Sequence, residues 1–174
     1  MPESVIPSYV DTRKVFQSDG KLIGSISLDR LSRFREVLAN DIAVVEVELE
    51  FSLNRSKQRL IVGEVRARAE VACQRCLEPV QIEFSENINL ALIRRESDIA
   101  KLDATLDPWL VEDHKLNLAE LVEEQLLLGM PIVSTHKDVN CLVSLKYEKQ
   151  RLEVSGEQEP ARVNPFAVLK TLKD

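Results

Sequence analysis

Glycine and aromatic residues are scarce in this 174-residue chain, which has five glycines and only 5% Phe, Trp and Tyr. Few rings leave little for bases to stack on, so readout of single-stranded RNA on an aromatic platform has weak support. No glycine-rich phosphate loop and no His-Glu-x-x-His pair occurs, and two histidines among dispersed carboxylates outline no catalytic triad. No apolar run approaches the roughly 20 residues that cross a bilayer. Met1-Pro2-Glu3-Ser4 shows acid where an export leader has a basic stretch followed by an apolar one. A cytoplasmic, non-enzymatic protein with no membrane segment is the expectation. Three cysteines, an odd number without an export signal, argue against a disulfide framework and for reduced thiols or a metal site. Positive charge is also short. The net charge is −6; residues 1–95 are balanced, and residues 96–174 carry the whole acidic excess. Nonspecific phosphate binding draws on clustered Lys and Arg, so any RNA contact must be local or made through a protein.

The hydrophobic pattern that is present predicts an α+β domain over residues 1–146. Ser8-Tyr9-Val10 and the Asp19-Gly20 turn suggest a short hairpin near the start. Ser27 then precedes Leu28, Leu31, Phe34 and Leu38, spaced three or four apart as on one side of a helix. Beyond it the period becomes two. Val45, Val47, Leu49, Phe51 and Leu53 alternate with Glu46, Glu48, Glu50 and Ser52, and Val65 to Cys73 and Val80 to Leu92 continue the pattern. These runs predict a three-stranded antiparallel meander with a bulge near Glu86, followed by an irregular stretch over 94–108. Asn117-Leu118-Ala119-Glu120 predicts the start of a second main helix. It should run to about Leu128, with Leu118, Leu121, Val122, Leu126 and Leu128 on its buried side, before Gly129-Met130-Pro131 stops it.

Cys73-Gln74-Arg75-Cys76 falls in the connection between two of these strands. A redox dithiol sits where a helix begins, so that the helix dipole activates the first thiol; Pro79 and the alternation after it speak against that. His136 and Cys141 complete a Cys3His set of soft donors suited to a structural zinc, and four protein ligands would close the coordination shell. The plainer alternative keeps Cys73 as a small core residue and leaves the other thiols idle. Arg66, Arg68 and Arg75 lie along and beyond one polar strand side and are candidates for RNA phosphates. Their interleaving with Glu64 and Glu70 equally describes a solvated, ion-paired face.

Residues 147–163 are charged and punctuated by Gly156 and Pro160, the composition of a flexible polar linker. At 164–174, Asn164 and Pro165 suit a helix start, and Phe166, Leu169 and Leu172 form one apolar side of a short amphipathic helix. That segment suits either a cover for the domain's own core or a peptide that docks its anchors in a partner's groove.

Cys73-Gln74-Arg75-Cys76, the Leu-rich helix from Leu118 to Pro131, the pair His136 and Cys141, and the Asn164-Pro165-Phe166-Ala167-Val168-Leu169 ending together resemble the YceD family, in order over most of the chain. Its members are called large ribosomal RNA subunit accumulation proteins. The resemblance implies a non-catalytic role in the synthesis, processing or stability of large-subunit (23S) ribosomal RNA, with precursor RNA or an early ribosomal protein as partner. Alternatives are an adaptor that acts on that RNA only indirectly and, as a minor one, a Cys-x-x-Cys thiol-redox protein. Some relatives carry a second cysteine cluster after the central helix; this chain has Cys141 and His136 there.

Overall fold

Three long strands dominate the computed structural model, which describes residues 4–144. β3 (Ala43–Leu53), β4 (Arg59–Ala72) and β5 (Pro79–Ile93) form the expected antiparallel meander. β2 (Lys21–Ser25) adds antiparallel on one edge and β6 (Asp107–Leu110) adds parallel to β5 on the other, in the order β2-β3-β4-β5-β6. The alternating Val45, Val47, Leu49 and Phe51 share their side with Val65, Ala67, Ala69 and Val71, and all are buried; Ile61 joins them, whereas Leu53, at the end of β3, is exposed. The only regular helix longer than two turns among the described residues, α3 (Leu118–Gly129), covers that inner side. Leu118, Leu121, Val122 and Leu126 are fully buried beneath it. Each buried leucine contributes about 2 kcal/mol. Leu128 departs from the expected stripe and stays exposed.

The start of α3 follows the sequence signal, since the Asn117 side chain accepts from the N–H groups of Ala119 and Glu120. The first expected helix does not form as one piece. Leu28–Arg30 make a 3-10 turn, the chain breaks at Leu31, and α2 is short (Ser32–Glu36). The reason is a competing cap. Ser27 makes no capping bond, whereas the buried Glu123 carboxylate on α3 accepts from the N–H of Arg33 at 2.7 Å and of Phe34 at 3.2 Å. It therefore fixes the helix start four residues downstream, while Leu31 and Phe34 still reach the core.

The early hairpin is also absent. β1 (Tyr9–Asp11) leads into α1 (Thr12–Val15), capped by the Asp11 side chain, and β1 pairs with β7 (Lys115–Asn117) just before α3. Asp19-Gly20 does turn the chain, with Asp19 at a φ of 43°, but from α1 into β2. Nor does a bulge interrupt β5. Pairing runs unbroken through Val65↔Glu86, and Glu86 remains on the inner side because the end of α3 passes over it: a Cβ added at Gly129 would come within 3.0 Å of the Glu86 Cβ. β6 escaped the sequence pattern because four residues including Pro108 show no alternation; a proline is tolerated there on an edge strand.

Candidate metal centre

The turn between β4 and β5 is a six-residue hairpin loop held by two backbone bonds, Cys73 N–H to Glu78 O at 2.9 Å and Leu77 N–H to Cys73 O at 2.8 Å. Closing it this tightly forces Leu77 into the left-handed region, at a φ of 64°. Leucine there costs about 1–2 kcal/mol, while glycine would escape that cost. Leu77 is exposed, so no packing is lost on truncation. Leu77→Gly is expected to leave the fold intact and raise the melting temperature by a few degrees; a clear drop on thermal melting would contradict the assigned turn.

The segment after α3 folds back onto this hairpin. Gln74 donates from its backbone to Ser134 O at 2.9 Å and from its side chain to Ile132 O at 3.0 Å. The Arg75 guanidinium donates to His136 O and, at 2.9 Å, to Asp138 O. These bonds bring His136, and Cys141 in the 3-10 turn Val139–Ser144, against Cys73 and Cys76. The three sulfurs and one ring nitrogen all lie within 4.8 Å of one another. Residue types single out this set in the sequence; the docking loop is what brings its four members into contact.

Each donor is oriented. His136 Nε2 is 3.0 Å from Pro79 O, so that nitrogen carries the proton and Nδ1, 3.3 Å from Cys76 Sγ, presents its lone pair to the cluster. Burial by itself pushes the Cys73 thiol up, but the backbone N–H groups of Cys76, Arg75 and His136, with the Cys76 thiol, bring its pKa down to about 5. Burial and then the neighbouring Cys76 sulfur push the Cys141 thiol up, against the attraction of the Arg75 charge. Ionising all three sulfurs this close together would set like charges against one another, and a soft dication among them would remove that conflict. Donor type, spacing, the ordered histidine tautomer and the nearby guanidinium all fit a closed Cys3His site. These four residues lie close together and could bind a metal.

The arginine candidates separate. Arg75 is committed to the two carbonyls, and its Nε is buried without a partner among the described residues. On the outer sheet face Arg66 bonds the Glu64 carboxylate at 2.6 Å and stands opposite Glu46. Arg68 stands between Val44 and Glu83 with no carboxylate in ion-pair range among the described residues. Lys21 bridges Glu48 and Glu50 on the same face. Phe166, Leu169 and Leu172, with the linker over 147–163, lie outside the described residues. The positioning roles of Gln74, Leu77 and Pro79 were not read from sequence; the signal available for them was only their place in or beside the Cys-x-x-Cys turn.

Among the described residues no helix is long and apolar enough to cross a membrane. No solved structure matches the chain. A protein from Haemophilus influenzae named large ribosomal RNA subunit accumulation protein YceD is 27% identical over 174 residues, covering 99% of each chain. The sequence profile of the family described by the same name matches residues 61–173, a span that begins in β4 and takes in the whole cysteine and histidine cluster. With its hairpin, its docking loop and all but the last residue of its terminal segment inside that match, the chain belongs to the YceD family of large ribosomal RNA subunit accumulation proteins.

Proposed function

We propose that this protein is a cytoplasmic, non-catalytic factor that supports synthesis, processing or stability of the large-subunit ribosomal RNA. Family membership supports the RNA, and the observation that supports a non-catalytic role is the donor cluster itself. Cys73, Cys76, His136 and Cys141 would hold a zinc ion with four protein ligands and no open position for substrate. Zinc bound there supplies a cross-link: it ties the β4–β5 hairpin to the loop after α3. The redox alternative lacks a helix at the dithiol, since Cys-x-x-Cys here joins two strands.

In this proposal residues 1–146 form one working body that engages precursor RNA or an early ribosomal protein. Residues 147–163 tether the segment 164–174, whose Phe166, Leu169 and Leu172 dock in a protein partner's groove. Of Arg66, Arg68 and Arg75, Arg68 is the one whose guanidinium has no carboxylate or carbonyl partner among the described residues and can turn to RNA. Replacing Phe166 and Leu169 by Ser should leave melting unchanged and abolish partner recovery; lost thermal stability would instead make the segment a cover for its own core. Crosslinking in living cells tests direct engagement, and recovery of large-subunit precursor sequences is the expected result. A protein that crosslinks to no ribosomal RNA would be an adaptor.

A further inference from the structure

Over most of the described body, cations are already spent. Arg13, Lys21, Arg33, Arg35, Arg66, Arg95 and Lys101 are paired with carboxylates, and Arg30 and Arg75 donate to backbone carbonyls. Eight others make neither kind of contact among the described residues, and six of those eight gather at one end of the sheet: Lys14, Arg55, Lys57, Arg59, Arg94 and Lys115. Arg68 and Lys137 are the two elsewhere.

Specific contacts hold that end together. The hairpin turn over 54–58 carries Arg55 and Lys57, and its Gln58 side chain donates to Lys101 O at 3.4 Å. Arg59 starts β4 opposite Leu92, two residues before Arg94, and its guanidinium lies 5.8 Å from the centre of the Phe16 ring, just beyond α1 and Lys14. Arg94 lies 3.3 Å from the His114 ring, and Thr12 N–H donates to His114 O at 2.9 Å, which brings α1 and Lys115 alongside. β4 separates this end from the cysteine cluster by about 40 Å of extended chain. The carboxylates of Asp19, Glu96, Asp103, Glu112 and Asp113 stand in the turns around this end, so the surface offers spaced cations instead of a uniform field.

We infer that this end of the sheet, with Arg55, Lys57 and Arg94 at its centre, takes the phosphate backbone of structured RNA. The inference rests on the functional reading above and supplies the local cationic patch that a chain of net charge −6 needs in order to touch RNA. Exposed guanidinium and ammonium groups with no carboxylate partner displace counterions without first breaking an ion pair. Among the described residues Tyr9 is the only exposed aromatic ring, with Trp109 partly buried on β6; one exposed ring is too few to unstack successive bases, which favours helical RNA read by backbone and shape.

The test uses the full chain and a transcribed stem-loop fragment of large-subunit precursor RNA, with affinity measured across a salt series and polyglutamate as a competitor. Wild type is expected to bind, with an affinity that falls as salt rises. Combining Arg55→Gln, Lys57→Gln and Arg94→Gln should weaken binding about tenfold or more and make the logarithmic salt slope shallower by about two. Lys137→Gln should do neither. Thermal melting checks that the exposed triple variant still folds. No binding by wild type, displacement by polyglutamate at equal charge, or a larger loss from Arg66→Gln with Arg68→Gln would overturn the inference. In cells depleted of the protein, full rescue by the triple variant would defeat this site alone, whereas depletion without any large-subunit deficit would defeat the functional reading.

Discussion

Protein purified without chelator is expected to carry close to one zinc per chain, and Cys76→Ser or removal of the ion should lower the melting temperature by about 10 °C or more. Structural zinc in small domains has an apparent binding free energy of order 10 kcal/mol. Here the sheet and α3 have their own apolar core, so metal loss need not unfold the body. What depends on the ion is the return of residues 131–144 to the hairpin. Without it, three sulfurs and an imidazole are left crowded within 4.8 Å, against the few backbone bonds made by Gln74 and Arg75. Melting with and without chelator, beside elemental analysis, separates the possibilities. Metal far below one per chain together with an unshifted Cys76→Ser melt would return Cys73 to a small core residue and Cys76 to an idle thiol.

Glu123→Ala should be the most damaging substitution outside the cluster, destabilising by about 3 kcal/mol, or roughly 10 °C in melting temperature. Its carboxylate is buried and caps two backbone N–H groups at the start of α2, one of them on the fully buried Phe34. Truncation orphans both donors and loosens the Leu31 and Phe34 side chains they hold in the core. The half-exposed Arg33 guanidinium, 2.8 Å away, adds an ion pair. Glu123→Gln keeps an acceptor of the same shape and removes the charge, so it should lose about half as much. Equal losses from both variants in denaturant titrations would assign the effect to the ion pair and not to the cap.

The same residue shows where sequence reasoning stops. Alternation placed the meander strands and their inner faces correctly, because burial on one side of a sheet must recur every second residue. Asn117 announced α3 through a bond that is local in sequence. Glu123 lies within the first turns of α3, where an acid ordinarily serves its own helix, yet it acts on residues about 90 positions away. Ser27 therefore promised a helix that a distant carboxylate starts elsewhere. β1 was misassigned for the same reason: its partner, β7, lies on the far side of the whole meander. The cysteine and histidine set could be named from residue types, but the bonds from Gln74, Arg75 and Pro79 that assemble it are made largely through backbone carbonyls, which no residue pattern marks. The cationic end is likewise invisible in composition, since it consists of what ion pairing leaves over.

The measurement that bears most directly on the role of this protein is depletion followed by separate quantification of the two ribosomal subunits and their RNAs. A selective deficit of the large subunit and its RNA, reversed by the wild-type chain, is the expected result. Equal loss of both subunits, or loss of neither, would contradict it.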